Sequence, residues 1–175
     1  FNLAYALDRL HKIARLQPAA VLIGNTGLIE PVRQYKLPFW IDFGLNTFNS
    51  AALEYWQNLG AQGALLSPEL TFEQLELLAG RSRLHLECLV QGRVEMMVSE
   101  YCVAGSFLGN IHEKDCYGAC AQKLYLKDRM QEKFPIVTDQ FCRMHILNAK
   151  ELSMLNFINK FKSAGVERIR IDAGY

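Results

Sequence analysis

Four thiols crowd into about a quarter of the chain. Cys102, Cys116, Cys120 and Cys142 follow one another as C-x13-C-x3-C-x21-C, while nothing before position 88 is a cysteine. Four thiolates suit a tetrahedral zinc ion or an iron–sulfur cluster. Structural zinc sites bring ligands in close pairs, and only Cys116 and Cys120 form one here. A cluster takes ligands from scattered loops, so the spacing leans toward a cluster and leaves zinc open. The fifth thiol, Cys88, lies in a strand pattern between Glu87 and Leu89 and reads as a small core residue. Nucleophilic chemistry at a cysteine needs an oriented base. His85, His112 and His145 are available, but no spacing pairs one of them with a thiol, and neither Gly-x-Ser-x-Gly nor His-Glu-x-x-His occurs.

The elements that must position these thiols belong to one folded domain over residues 1–175, long enough at 50% hydrophobic content to bury a real core. With 19 basic and 18 acidic residues and no basic block, the chain has no broad nucleic-acid surface, while a small RNA site stays open. No apolar run approaches the ~20 residues of a membrane span, and the N-terminus shows no signal pattern. A soluble cytoplasmic protein is expected. There a core of this size needs no disulfides, and an odd cysteine count points to metal or cluster ligation.

From Ala19 onward, short apolar runs alternate with helical patterns at roughly twenty-residue spacing, the mark of parallel βα units. An amphipathic helix over Asn2–Leu16 precedes a buried strand at Ala19–Gly24 and a helix over Leu28–Tyr35 capped by Thr26. Further strands are expected at Leu37–Phe43, Ala64–Ser67 and Leu84–Val90. Helices are expected over Ala51–Leu59, capped by Asn49 or Ser50, and over Thr71–Leu78 with a Thr71/Gln74 capping box. After Gly92 the alternation breaks. The cysteines occupy that gap, and an antiparallel hairpin of Tyr125–Arg129 with Phe134–Asp139 makes residues 93–142 a small cysteine-rich insertion. A helix from Asn148 to Ala164 and a strand over Val166–Ile171 resume the framework. The fold class is α/β, the later half of a TIM-like (β/α) barrel, since five units do not make eight. The ends of the chain suggest a fragment whose N-terminal part is missing. An unpartnered first strand would then expose its edge, and self-association is expected.

Barrel enzymes place chemistry at the C-terminal ends of their strands. Asn25, Asn46, Glu69 and Asp172 qualify by position as substrate-binding residues, and Arg170 could clamp a carboxylate or phosphate or pair with Asp172 or Glu167. Catalytic residues are not assigned.

Leu86–Arg93, Ser99-Glu100-Tyr101-Cys102, the Cys116/Cys120 pair, Leu126–Arg129 before Phe134-Pro135, and Arg168–Asp172 together resemble the collagenase-like peptidase family, peptidase U32. The similarity covers roughly Ala19 to Tyr175, with the cysteine block its most specific part. The resemblance implies a barrel-like α/β fold. The family label implies a hydrolase, while better-understood relatives imply a 4Fe-4S cluster on four cysteines, serving hydroxylation of RNA or of a small aromatic precursor. On that resemblance Cys102, Cys116 and Cys120 match three ligands, and Cys142 is taken as the fourth. Arg93-Val94-Glu95-Met96 stands where many members have Gly-Ala-Leu-Cys. The alternatives are a peptidase, or a zinc-stabilised module without catalysis. A cluster of this kind is prone to loss in air.

Overall fold

The computed structural model describes residues 3–109 and 116–174. The polar loop Asn110–Asp115, with His112, lies outside them, as do Phe1, Asn2 and Tyr175. The chain is mixed α/β and forms two compact units, one of residues 1–90 and 155–170 and one of residues 91–154 and 171–175.

The first unit is built on parallel strands. β1 (Val21–Ile23), β2 (Phe39–Ile41), β3 (Gly63–Leu65) and β4 (His85–Gly92) lie in sequence order, and β10 (Arg168–Ile171) follows β4. Val21 pairs with Phe39, Trp40 with Gly63 and Gly63 with His85. The Glu167 amide donates to the Leu86 carbonyl and the Asp172 amide to the Gln91 carbonyl. Both partners advance together, so β10 runs parallel to β4.

Strand alternation gives this sheet two unlike faces. Ile23, Phe39, Ile41, Ala64, Leu86, Cys88 and Val90 are buried on one. Trp40, Asp42, His85, Glu87, Arg168 and Arg170 fall on the other. Leu22 shares that second face and is 54% exposed, so β1 is not covered on both sides as its apolar sequence suggests.

Helices α1 (Leu3–Arg15), α2 (Ile29–Gln34), α3 (Ser50–Asn58), α4 (Phe72–Ala79) and α6 (Ile158–Ser163) put Leu10, Val32, Leu53, Trp56, Leu75, Leu78 and Phe161 into the core. Their ends follow local chemistry. Asn49 Oδ1 accepts from the Ala52 amide at 2.8 Å, and Gly60, just past α3, takes the left-handed φ of +92° that ends a helix cheaply only at glycine. Thr71 and Gln74 form the expected capping box. At α2 the cap differs from expectation: Asn25, not Thr26, bonds the Gly27 amide, and a 3-10 turn intervenes before the helix.

The second unit is an antiparallel sheet in the order β5–β8–β7–β6, from β5 (Glu95–Ser99), β6 (Leu124–Lys127), β7 (Lys133–Thr138) and β8 (Met144–Leu147). The β6–β7 hairpin occupies the expected position. The expected helix from Asn148 does not: β9 (Leu152–Ser153) pairs with Gln91 and Gly92, and α6 opens only at Ile158, while residues 144–147, for which no element is expected, form β8. Met144-His145-Ile146-Leu147 is short and apolar, and such a run reads equally as strand or helix. Its pairing with β5 and β7 decides for the strand.

Candidate functional site

In the first unit, the loops beyond β1, β2 and β3 are tied together. A β-carbon on Gly44 would stand 2.8 Å from the Gly24 carbonyl oxygen, so only glycine lets the first two loops approach so closely. Thr47, fully buried, accepts from the Trp56 indole N–H at 3.1 Å, and its carbonyl receives the Ser67 amide. These ties set Asn25, Asn46 and Glu69 at the same edge of the sheet. Each already has local work or exposure: Asn25 caps its turn, Asn46 sits at a left-handed φ of +41°, and Glu69 is exposed, its amide bonded to Ser67 Oγ.

Arg170 lies on β10 with its guanidinium between two acids. Nε donates to Glu87 Oε1 and Nη1 to Asp42 Oδ1, each at 2.5 Å. It pairs with neither Asp172 nor Glu167. Asp172 belongs to the second unit, where its carboxylate accepts from the Gly174 amide, and Glu167 pairs with His85. Partial burial works to lower the Arg170 pKa, but the hydrogen bonds and charges of Asp42 and Glu87 outweigh it and the pKa rises. The trio carries a net charge of −1. Beside it, Trp40 stacks on His85, and the Arg168 guanidinium lies 4.0 Å from the Trp40 ring centroid. Asp42 and Glu87 escaped the sequence reading. The signal was there, since a glutamate inside the apolar run Leu84–Val90 must face something polar. Two cavities of about 350 and 380 Å3 lie at the opposite edge of the sheet, beside Arg81 and Arg83 and beside Arg33 and Lys36.

All four candidate thiol ligands fall in the second unit and Cys88 in the first; all five are free. Burial foremost, then the charge of Glu87, pushes the Cys88 thiol up to about 12, which suits packing and not ligation. Cys102 caps the short helix α5 (Val103–Phe107), its sulfur accepting from the Gly105 amide at 3.3 Å. The segment that begins at Cys116 lies against the same helix. A β-carbon on Gly109 would meet the Cys116 backbone at 2.8 Å. Tyr117 and Gly118, both at positive φ, then bend the chain into the 3-10 turn that holds Cys120.

Cys142 reaches the same end of the sheet by another route. Ser99 pairs with Met144 and Met144 with Thr138, so the turn between β7 and β8 lies beside the end of β5 from which Cys102 follows. Asp139 builds that turn. Its carboxylate accepts from the Phe141 and Arg143 amides and from the Arg143 guanidinium, and Cys142 is left at a φ of +58°. Burial works to raise the Asp139 pKa, but the Arg143 side chain and these amides hold it down at about 2.

Backbone pairing thus brings the segments that carry the four thiols to α5 and one end of the antiparallel sheet. Their side chains stand apart: among the described residues, no group of three or more His, Cys, Asp and Glu is close enough to hold a metal ion. No helix among them is long and apolar enough to cross a membrane.

This mixed α/β chain belongs to Peptidase family U32, whose family model it matches over residues 1–174. Among curated relatives it is similar to the tRNA hydroxylation protein P of Escherichia coli K12, at 26% identity over 63% of this chain and 26% of the relative. The proteins of the same name from Haemophilus influenzae and Helicobacter pylori J99 match at 24% and 23% identity, over 63% and 90% of this chain. The matched part spans only 25% and 39% of their lengths. No solved structure matches.

Proposed function

We propose that this chain is part of a hydroxylation-type modifying protein that acts on RNA, with Cys102, Cys116, Cys120 and Cys142 ligating a 4Fe-4S cluster. The family match, with relatives named for tRNA hydroxylation, carries this reading. The position of Cys102 at the start of α5, of the Cys116 backbone beside Gly109 just past that helix, and of Cys142 at the adjoining end of the sheet supports the ligand set. Such a cluster supplies one-electron redox chemistry when bound. In the first unit, Asn25, Asn46, Glu69 and Arg170 stand at or near the strand ends where a barrel of this class would admit substrate, with Asp172 in the second. A TIM-like barrel contributed in part by these strands is consistent with their parallel, sequential order, and residues 93–142 are then an insertion on it. A cytoplasmic setting follows from RNA as substrate.

The test is anaerobic purification of the full-length protein with assays of iron and acid-labile sulfide. Equal iron and sulfide, and a broad visible absorption lost in Cys116→Ser/Cys120→Ser, are expected. Nucleosides of tRNA from cells lacking the protein should have lost a hydroxylated species by mass spectrometry. A colourless protein holding one zinc would overturn the cluster, and peptide cleavage that survives loss of all four thiols would restore the peptidase reading.

A further inference from the structure

The charges of the second unit are unevenly spread. Arg143 is bound to Asp139 and Arg93 to the carbonyls of Asn148 and Ala149. On the β6–β7 hairpin, by contrast, Lys123, Lys127, Arg129 and Lys133 are all exposed, and among the described residues none of them is in an ion pair. Of the hairpin's two acids, Asp128 is occupied in holding its turn, accepting from the Met130 and Glu132 amides.

The register sharpens this. Lys127 stands directly opposite Lys133, and Tyr125 opposite Pro135. Residues two apart on a strand share a face, so both lysines and Tyr125 look out from one side. Like charges directly opposite destabilise a sheet, and among the described residues no carboxylate forms an ion pair with either lysine. The Lys133 ammonium lies 5.9 Å from the Tyr125 ring centroid, and the ring is 51% exposed. An anion beside the two lysines would remove the repulsion, and a planar group could cover the ring.

From this we infer that the β6–β7 face is a docking platform for unpaired RNA, with backbone phosphate against Lys127 and Lys133 and a base stacked on Tyr125. The inference rests on the RNA reading above and gives it a surface. The chemistry favours a single strand, whose splayed bases stack on aromatic side chains while cations follow the backbone. A duplex offers no base face to Tyr125, and an acidic peptide makes no use of it.

The test is binding of fluorescently labelled single-stranded RNA and of unmodified tRNA to the full-length protein at several salt concentrations. Lys127→Gln/Lys133→Gln should weaken both by roughly tenfold or more and flatten the plot of log affinity against log salt by about 1.4, at ~0.7 per phosphate on a single strand. Tyr125→Leu should weaken single-strand binding roughly fivefold or more without changing that slope. Lys150→Gln, an exposed cation off the hairpin, should change neither. The double variant should melt no lower than the parent, because it removes a repulsion. Wild-type affinity and slope in the double variant, equal binding of duplex RNA, or equal competition by polyglutamate would each overturn the platform. An iron-loaded protein that binds no RNA would overturn the platform and leave the cluster standing. Lysine-dependent RNA binding by a protein that holds no iron would do the reverse.

Discussion

Arg170 shows how one side chain can be mistaken for a ligand clamp when its own neighbours already hold it. With Asp42 and Glu87 each at 2.5 Å, its removal leaves two half-buried carboxylates facing each other. Arg170→Met is expected to destabilise the protein by about 1–3 kcal/mol, below the full cost of breaking a buried pair because water still reaches the trio. Urea midpoints report this, and Glu87→Gln in the same background should recover part of the loss. Cys88 gives a pH signature. Its thiol titrates near 12 when folded and near the ordinary 9.0 when unfolded. The raised folded value means its contribution to stability is full below pH 9 and is lost as the pH rises from there toward 12. In native protein at pH 8, iodoacetamide should modify the exposed thiols Cys116, Cys120 and Cys142 and spare Cys88 until urea is added. Mass spectrometry of the alkylated peptides checks this, and early modification of Cys88 would contradict its burial. The sequence made Cys88 legible through its place in an apolar strand. It left Arg170 open among nearby acids, because its partners lie 83 and 128 residues away.

At the scale of elements, local chemistry was readable where it was strong. Asn49 and Thr71 with Gln74 mark helix ends through bonds that span only a few residues, and the structure has them. The β6–β7 hairpin was equally plain. β5 and β8 were not, since each is a short mixed or apolar run whose identity depends on its partner strand. The placement of Cys142 depends on the same pairing, so the neighbourhood of the thiols could be counted in the sequence but not located. Gly63 tests the packing between strands. A β-carbon there would fall 2.5 Å from the Trp40 ring, which also contacts the His85 ring and the Arg168 guanidinium. Gly63→Ala should cost about 1–3 kcal/mol through overpacking and shift tryptophan fluorescence. An unchanged urea midpoint and spectrum would show that the ring moves aside freely.

At the scale of the whole molecule, β1 closes one side of the parallel strand order, and its Leu22 points outward from the face that carries Trp40. An edge with an exposed apolar residue invites pairing with another copy. We expect the 175-residue chain to self-associate at high concentration, and Leu22→Lys to reduce that association in light scattering. Equal behaviour of the two chains would place the contact elsewhere.

The φ of +58° at Cys142 has a consequence for how the protein can change. A side chain in the left-handed region costs about 1 kcal/mol that glycine does not incur. Cys142→Gly should therefore raise the melting temperature, whereas Cys142→Ser, which keeps a β-carbon at that φ, should bring no such gain. On the proposed ligand set, backbone ease and a fourth thiol therefore make opposite demands on this one position.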